Sequence, residues 1–262
     1  MKELYRDIVL GSVFRELWQN KDPFVEVEKL EGETFRLVKT RRTFRFEAAG
    51  RGFFAKIHHG VGWKEIFKNL FQFKWPVLGA SNEFWALTRL HEIGVPTMTI
   101  AAYGRKGGLD VARQDSFLIT CELENMTSVE DIAKAGTQEG NKHLLIRKIA
   151  ESAGKMHKTG MNHRDCYICH YLVDVRHLSP ASPVFVIDLH RAQIRKKVPW
   201  RYHVKDVAGL HFSSMDAGLS RRDRLRFMAE YCRHVPECRR NERFWRDVDQ
   251  TARKLYRKEF GR

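Results

Sequence analysis

Two aspartates, a lysine and a glutamate stand at spacings that suit phosphoryl transfer. His163-Arg164-Asp165 is followed by a strand-like run, Tyr171-Leu172-Val173-Asp174-Val175, and a second run, Val184-Phe185-Val186-Ile187, ends on Asp188. His-Arg-Asp, a strand, a turn, a strand and another Asp is the layout of a catalytic loop followed by a metal-binding acid. One carboxylate meets the attacking hydroxyl, and the other holds the magnesium ion that bridges the phosphates. Upstream, Phe54-Ala55-Lys56-Ile57 has the form of a strand-borne V-A-I-K, and Glu83 lies in the first turn of a following helix, where it can pair with Lys56. The same stretch admits a competing chemistry. Cys166-Tyr167-Ile168-Cys169-His170 has the C-x-x-C-H spacing of c-type haem attachment.

The elements that must position these residues follow from periodicity and turn residues. Residues 1–22 read as a helix with Leu10, Phe14, Leu17 and Trp18 on one face, ended by Pro23. Residues 34–38, 43–47 and 52–57 read as three strands of an antiparallel meander. The first turn, Lys39-Thr40-Arg41-Arg42, stands where a protein kinase has its glycine-rich loop; that motif is absent, and the basic turn either binds phosphates through its side chains or is a solvated hairpin tip, the reading favoured because exposed turns are commonly charged. Trp63, Ile66, Phe67, Leu70 and Phe71 share one face of a helix-like run flanked by Lys64 and Lys68. That pattern suits a helix lying in a membrane interface as well as one packed on the protein. Ser81 or Asn82 caps the helix carrying Glu83, Phe84, Leu87 and Leu90, and Gly94 and Pro96 stop it. Residues 99–103 and 117–120 are two further strands. Glu122-Leu123-Glu124-Asn125 reads as a hinge, and helical periodicity dominates beyond it, with Ser220-Arg221-Arg222-Asp223 resembling a capping box.

Composition bounds the partners. The chain has 262 residues, 43% hydrophobic and 30% charged, with a formal net charge of +15. Such a field favours anionic partners: nucleic acid, anionic lipid, a phosphorylated sugar or an acidic protein. The N-terminal residues lack the apolar core of a signal peptide, and no apolar run approaches the length that spans a bilayer, so a cytosolic location is expected. Five cysteines, an odd number, fit reduced thiols, and a cytosolic location speaks against haem attachment.

His163-Arg164-Asp165-Cys166-Tyr167-Ile168-Cys169-His170 and Ile187-Asp188-Leu189-His190-Arg191 strongly resemble the lipopolysaccharide core heptose(I) kinases. The Phe54–Ile57 strand, Trp63-Lys64-Glu65-Ile66 and Lys205-Asp206-Val207-Ala208-Gly209-Leu210-His211 fit the same family, so the resemblance covers most of the chain. It implies an α+β, bilobal protein-kinase-like fold, with an antiparallel-sheet N-lobe over 1–121 and a mostly helical C-lobe over 122–262. It also implies a kinase dependent on ATP and Mg²⁺ that phosphorylates the first heptose of the inner core at its 4-position. The enzyme would work peripherally on the cytoplasmic face of the inner membrane. The partners expected are the lipopolysaccharide acceptor, an anionic membrane surface and, given the charge, an acidic protein; nucleic acid is not expected.

Roles follow from the chemistry. Asp165 is expected to take or orient the proton of the sugar hydroxyl. Asp188 is expected to hold magnesium, and Lys56, positioned by Glu83, to meet the α- and β-phosphates. Backbone groups of Glu122 and Leu123 are expected to meet the adenine. Arg191, Arg195 and Lys197 are the candidates for the acidic sugars and phosphates of the core. Cys166 and Cys169 are expected to be packed thiols. Two departures from the protein-kinase pattern stand out: His170 takes the place of the magnesium-binding Asn, and Asp188-Leu189-His190 replaces D-F-G. Imidazole is a poorer ligand than oxygen for hard Mg²⁺, so His170 is either a metal ligand or an orienter of Asp165 or of a water. The rival functions are a kinase of protein or of another small-molecule hydroxyl, a c-type haem protein, and a catalytically inert kinase-like scaffold. Intact Lys56, Glu83, Asp165 and Asp188 argue against the last.

Overall fold

Alternation at period two decides how the first part of the chain folds. The structure, a computed structural model, describes residues 7–38, 40–60, 79–107, 114–136 and 138–261, so the amphipathic run at 63–75 and the turn residue Lys39 lie outside the described residues. On β4 (Arg51–His58), Phe53, Ala55 and Ile57 are buried on one face and Phe54 and Lys56 point to the other. Along β3 (Arg41–Ala48), Phe44 and Phe46 join the first face, opposite Ala55 and Phe53. With β1 (Asp7–Leu10), β2 (Glu33–Val38), β5 (Ile100–Lys106) and β6 (Asp115–Cys121), they form a six-stranded sheet in the order β1-β5-β6-β4-β3-β2. Every neighbouring pair in it is antiparallel. The aromatic face is covered by Phe14 and Trp18, from α1 (Ser12–Leu17) and its end, and by Phe24 of α2 (Pro23–Glu28). Phe14 meets Phe53 edge-on at 5.1 Å and Phe24 meets Phe117 at 5.2 Å, the tilted geometry that aromatic rings prefer.

The N-terminal segment departs from the single helix its apolar spacing suggests. Asp7–Leu10 is an edge strand, and Gly11 turns the chain out of it with its N–H bonded to the Ala101 carbonyl at 2.8 Å. A Cβ on Gly11 would stand 2.9 Å from that oxygen, so only glycine lets the chain approach so closely. Pro23 starts α2 instead of ending a helix. Its missing N–H costs nothing at the first helical position, and Asp22 caps the turn by accepting from the Phe24 N–H at 2.8 Å. Leu10, Phe14, Leu17 and Trp18 satisfy helical spacing, but sheet pairing overrides it at Leu10.

The opposite face of the sheet carries the row Thr43, Lys56, Leu118 and Tyr103 across four strands. Helix α3 (Ser81–Glu92) lies against it: the Phe84 ring stacks on Tyr103 at 3.9 Å, and the Ser81 hydroxyl bonds the Tyr103 hydroxyl at 2.8 Å. These strands, with the chain through Leu87 and again from Met98 to Leu123, make one compact unit.

The second unit comprises Thr88–Thr97 and Glu124–Arg262. It is mostly helical: α4 (Val129–Ala135), α5 (Glu139–Lys158), α6 (Trp200–Ser213), α7 (Arg221–His234) and α8 (Glu242–Phe260). The stripe Leu145, Ile149, Ala153 and Met156 is buried on α5, which packs along α7, while α6 packs along α8. Ser220 and Asp223 close the expected capping box, Asp serving in place of Glu. Short strands β7 (Thr127–Ser128), β9 (Tyr171–Val173) and β10 (Phe185–Val186) form one small sheet; β8 (Met161–Asn162) and β11 (Gln193–Ile194) pair in another. Among the described residues, no helix is long and apolar enough to cross a membrane.

Candidate active site

Lys56 owes its direction to the strand alternation, and Glu83 reaches it because Phe84 and Ser81 fix the phase of α3 on Tyr103. The two meet at 2.6 Å, Lys56 Nζ to Glu83 Oε1, with Glu83 only 2% exposed. Each charge satisfies the other away from water, so removing one partner costs about 3–5 kcal/mol by leaving an uncompensated buried charge. The arrangement delivers an ammonium held in one place, as a phosphate-binding lysine requires.

In the same unit, Glu122 is tied into the sheet. Its N–H donates to the Gly52 carbonyl at 2.9 Å, and its carboxylate accepts from Arg45 Nε at 2.8 Å. A Cβ at position 52 would meet the end of that side chain, so a larger residue there would push the Glu122 carboxylate aside. Of the backbone groups expected to meet adenine, the Glu122 amide is therefore committed. The expectation for adenine then narrows to the Glu122 carbonyl and the backbone of Leu123.

In the second unit the catalytic stretch is an irregular chain held by side chains. The backbone N–H groups of His163 and Arg164 both donate to the fully buried carboxylate of Asp206, at 2.6 and 2.9 Å. His163 is buried too, and donates Nε2–H to the Ile187 carbonyl at 3.0 Å. Burial pushes its pKa down, so the ring is neutral and links the loop to the residue before Asp188. Arg164 and Asp188 both adopt left-handed backbone, φ +75° and +59°. Non-glycine residues occupy that region at a cost, and they persist where surrounding bonds hold them, commonly at functional sites.

Asp165 and Asp188 are then aimed by their neighbours. Arg191 Nη1 donates to both oxygens of Asp165, at 2.8 and 3.1 Å. Asp188 Oδ1 lies 2.6 Å from His190 Nδ1, and its Oδ2 lies 3.5 Å from His170 Nε2. His170 bonds the Asp165 carbonyl through Nδ1 at 2.8 Å, and its own carbonyl accepts from the Ile187 N–H at 3.0 Å. Burial opposes a charge on His170, but its bonds to Cys169 and the Asp165 carbonyl and the charge of Asp188 outweigh it, and the pKa is pushed up to about 9. His170 thus bridges the backbone of one acid and the carboxylate of the other. Of the remaining basic candidates, Arg195 spends its guanidinium on Asn162 at 2.7 Å, on Gln193 and on the Tyr202 ring, while Lys197 is exposed.

The donors fit a magnesium ion that arrives with a nucleotide better than a preformed cage. Among the described residues no three metal-ligating side chains cluster. Asp188 supplies one hard carboxylate, and Mg²⁺ in such sites completes its octahedron with phosphates and water. For haem the residues do not fit: Cys166 is 1% exposed, 3.3 Å from the Tyr171 hydroxyl, and burial pushes its thiol far up. Cys166 is a packed thiol; Cys169 is only half-buried.

Sequence reasoning missed Asp206 as the anchor of the loop. Its signal was present, an acid inside the otherwise apolar stripe Val204, Val207, Ala208 and Leu210. It also missed the residues behind it. His157 lies 3.3 Å from Asp206 and 2.7 Å from the Tyr231 hydroxyl, which His203 meets at 3.1 Å.

Known proteins resemble the chain closely. A profile described as "Lipopolysaccharide kinase (Kdo/WaaP) family" matches residues 25–231. The protein named lipopolysaccharide core heptose(I) kinase WaaP of Pseudomonas aeruginosa is 46% identical over 259 residues, 95% of this chain and 96% of that one. The protein of the same name from Escherichia coli K12 is 47% identical, covering 82% of this chain and 83% of that one. A solved structure titled "WaaP in complex with acyl carrier protein" superposes with a TM-score of 0.81 at 40% identity, over 95% of this chain and 99% of that chain.

Proposed function

The chain belongs to the lipopolysaccharide kinase (Kdo/WaaP) family, and we propose on that footing how its own residues carry out the reaction. It is an ATP-using sugar kinase of the lipopolysaccharide core, acting on heptose(I). The 4-hydroxyl is our assignment for the acceptor atom. Its oxygen forms a bond to the γ-phosphorus as the bond from that phosphorus to the β–γ bridging oxygen breaks, and ADP leaves. Asp165 takes the hydroxyl proton. Arg191, which holds Asp165 in the structure, shares that carboxylate with the incoming hydroxyl and presents a guanidinium to the phosphoryl group or to an anionic core sugar, with Lys197 beside it in sequence. Lys56 meets the α- and β-phosphates. Asp188 would hold Mg²⁺, which when bound neutralises phosphate charge. His170 keeps Asp165 and Asp188 in register through one ring. The observation that carries this reading is the one imidazole between the two acids: His170 bonds the Asp165 backbone carbonyl at 2.8 Å and stands 3.5 Å, an ion-pair distance, from the Asp188 carboxylate.

The test is to incubate the protein with γ-labelled ATP and core lipopolysaccharide lacking the heptose phosphate, then locate the label. Label on the 4-oxygen of the first heptose supports the full reading. Label on another hydroxyl removes the position but keeps the kinase, and label on protein only removes the substrate.

An acceptor anchored in a bilayer places the enzyme peripherally at the inner membrane's cytoplasmic face. A relative bound to acyl carrier protein supports an acidic carrier-protein partner for this chain of net charge +15. Ile149, Leu210, Phe227 and Trp245 line an apolar cavity of about 180 Å³ in the second unit, and it adjoins a larger one lined by Arg224, Arg253 and Arg257. We assign the carrier's apolar cargo to the first and its acidic surface to the arginines. Loss of co-purification with acyl carrier protein in Arg253→Glu/Arg257→Glu would support this; unchanged binding would remove it.

A further inference from the structure

A separate cavity of about 600 Å³ opens beside the catalytic loop, in the size range of small-molecule sites. Tyr167, Cys169, Phe212, Asp216, Glu259 and Phe260 contribute to its wall. Tyr167 connects it to the chemistry. Its N–H donates to the Asp165 carbonyl at 3.0 Å, its ring meets Phe212 at 5.9 Å, and its hydroxyl lies within electrostatic reach of Asp165 and Arg191. Phe212 in turn meets Phe260 at 6.4 Å, and Phe260 is 53% exposed, so the aromatic wall continues out to solvent.

The charge of this wall runs against that of the chain. In a protein of net charge +15, it carries three carboxylates, Glu130, Asp216 and Glu259, and one ammonium, Lys134. Lys134 is answered by Glu130 at 2.9 Å. An anionic sugar, a nucleotide phosphate or a lipid phosphate would meet net repulsion here. A neutral sugar would not: its C–H faces pack on aromatic rings, and its hydroxyls donate to carboxylates in charge-assisted bonds.

We propose that this cavity is the subsite for a neutral sugar unit of the acceptor, seated beside the hydroxyl that Asp165 activates. The assignment rests on the sugar-kinase reading and adds to it which surface recognises the uncharged part of the substrate. The basic residues after Asp188 then face the acidic part, and the two surfaces divide recognition between them.

Glu259 and Phe260 are exposed and take no part in the transfer, so Glu259→Gln/Phe260→Ala tests the subsite without touching the catalytic groups. Steady-state kinetics of the full chain are measured with three acceptors: intact core lipopolysaccharide lacking the heptose phosphate, its delipidated core saccharide, and a methyl heptoside. The expected result is a roughly tenfold rise in KM for the delipidated saccharide, with kcat and the KM for ATP within about twofold, the pattern of lost uniform binding. The same rise with the methyl heptoside places the reacting heptose itself in the cavity. A rise confined to the longer saccharide places a neighbouring neutral unit there. An unchanged KM for the delipidated saccharide overturns the proposal while leaving the kinase standing, and a defect seen only with intact lipopolysaccharide assigns Phe260 to lipid and overturns it equally. If the unaltered protein transfers no phosphate to any of the three, the kinase reading fails and the subsite falls with it.

Discussion

The Lys56–Glu83 pair and the Asp165–Asp188 loop are built by opposite means. The pair is set by regular structure. Strand alternation turns Lys56 to the face opposite the phenylalanine core, and helix phase brings Glu83 to it at 2.6 Å. The loop has almost no regular structure of its own. Its shape comes from side chains that satisfy its backbone: Asp206 under His163 and Arg164, His163 under Ile187, and His170 under Asp165. A site of the first kind depends on two residues meeting. One of the second kind depends on a buried network several residues deep, and damage there spreads.

The largest effect is expected at the loop. Asp165→Asn keeps the shape and removes the proton acceptor of the proposed mechanism, so turnover should fall about 100- to 10,000-fold with ATP binding little changed. Asp188→Ala should abolish transfer. Combined with Lys56→Ala, it should cost less than the product of the two single losses, because the proposed mechanism gives both residues one task, positioning the phosphates. Full multiplicativity in kcat/KM would mean that the two sites act independently and would undo the reading of a shared task.

The pair offers a sharper separation of stability from activity. Glu83→Gln leaves Lys56 partly buried without its counter-charge and should destabilise the first unit by about 3 kcal/mol. Lys56→Met/Glu83→Leu removes both charges and should recover most of that loss, since an apolar pair of similar volume is often neutral or better than a buried ion pair. Activity should not return with it. Denaturant midpoints and phosphate transfer measured on the same three proteins decide the matter. If stability stays low in the double variant, packing and not charge was lost.

At Asp206 the effects should be mixed. Asp206→Asn retains the size but turns one acceptor into a donor, so the amides of His163 and Arg164 cannot both be satisfied. A buried unsatisfied donor costs about 1–3 kcal/mol. Turnover should fall on the order of tenfold, with faster hydrogen exchange at residues 163–165. Normal turnover with slow exchange would show that His163 and His170 suffice to hold the loop.

The difference between the two regions also explains what was legible in the sequence. The strands at 34–57 and 99–120, the helix carrying Glu83 and the capping box at Ser220 were readable because period and turn chemistry report regular elements locally. Lys56 and Glu83 could be named for the same reason. Asp165 and Asp188 were readable only as motif and spacing. Their supports, Asp206, His157, His203 and Tyr231, lie 42 to 74 residues from their partners in several of these contacts, and such pairings leave no periodic trace. Arg191 was legible as a basic residue near the site, but its hold on Asp165 was not. At the N-terminus, apolar spacing fitted a helix, and the pairing of Leu10 with Ala102 on a distant strand decided otherwise.

A change of slope with pH, rather than of absolute stability, isolates the buried network from the pair. His203 has a folded pKa of about 4, lowered from 6.5 first by burial and then by His157. As pH falls, the unfolded chain therefore takes up this proton before the folded one does. Its contribution to stability is complete above about 6.5, declines through the interval down to about 4 and then stops changing, a total of roughly 3 kcal/mol. His163, also lowered by burial, acts in the same direction. The lowered carboxylates Asp206 and Asp223 contribute a loss only at more acid pH, below the ordinary aspartate value, so the two sources separate on the pH axis. Urea midpoints followed by the helical circular dichroism signal, which the mostly helical second unit dominates, should fall between pH 7 and 4.5. In His203→Gln the slope should flatten, whatever the change in absolute stability, because the amide cannot titrate. An unchanged slope in that variant would assign the titration to His163 or to His234, both also lowered by burial, and remove His203 from the network's pH response.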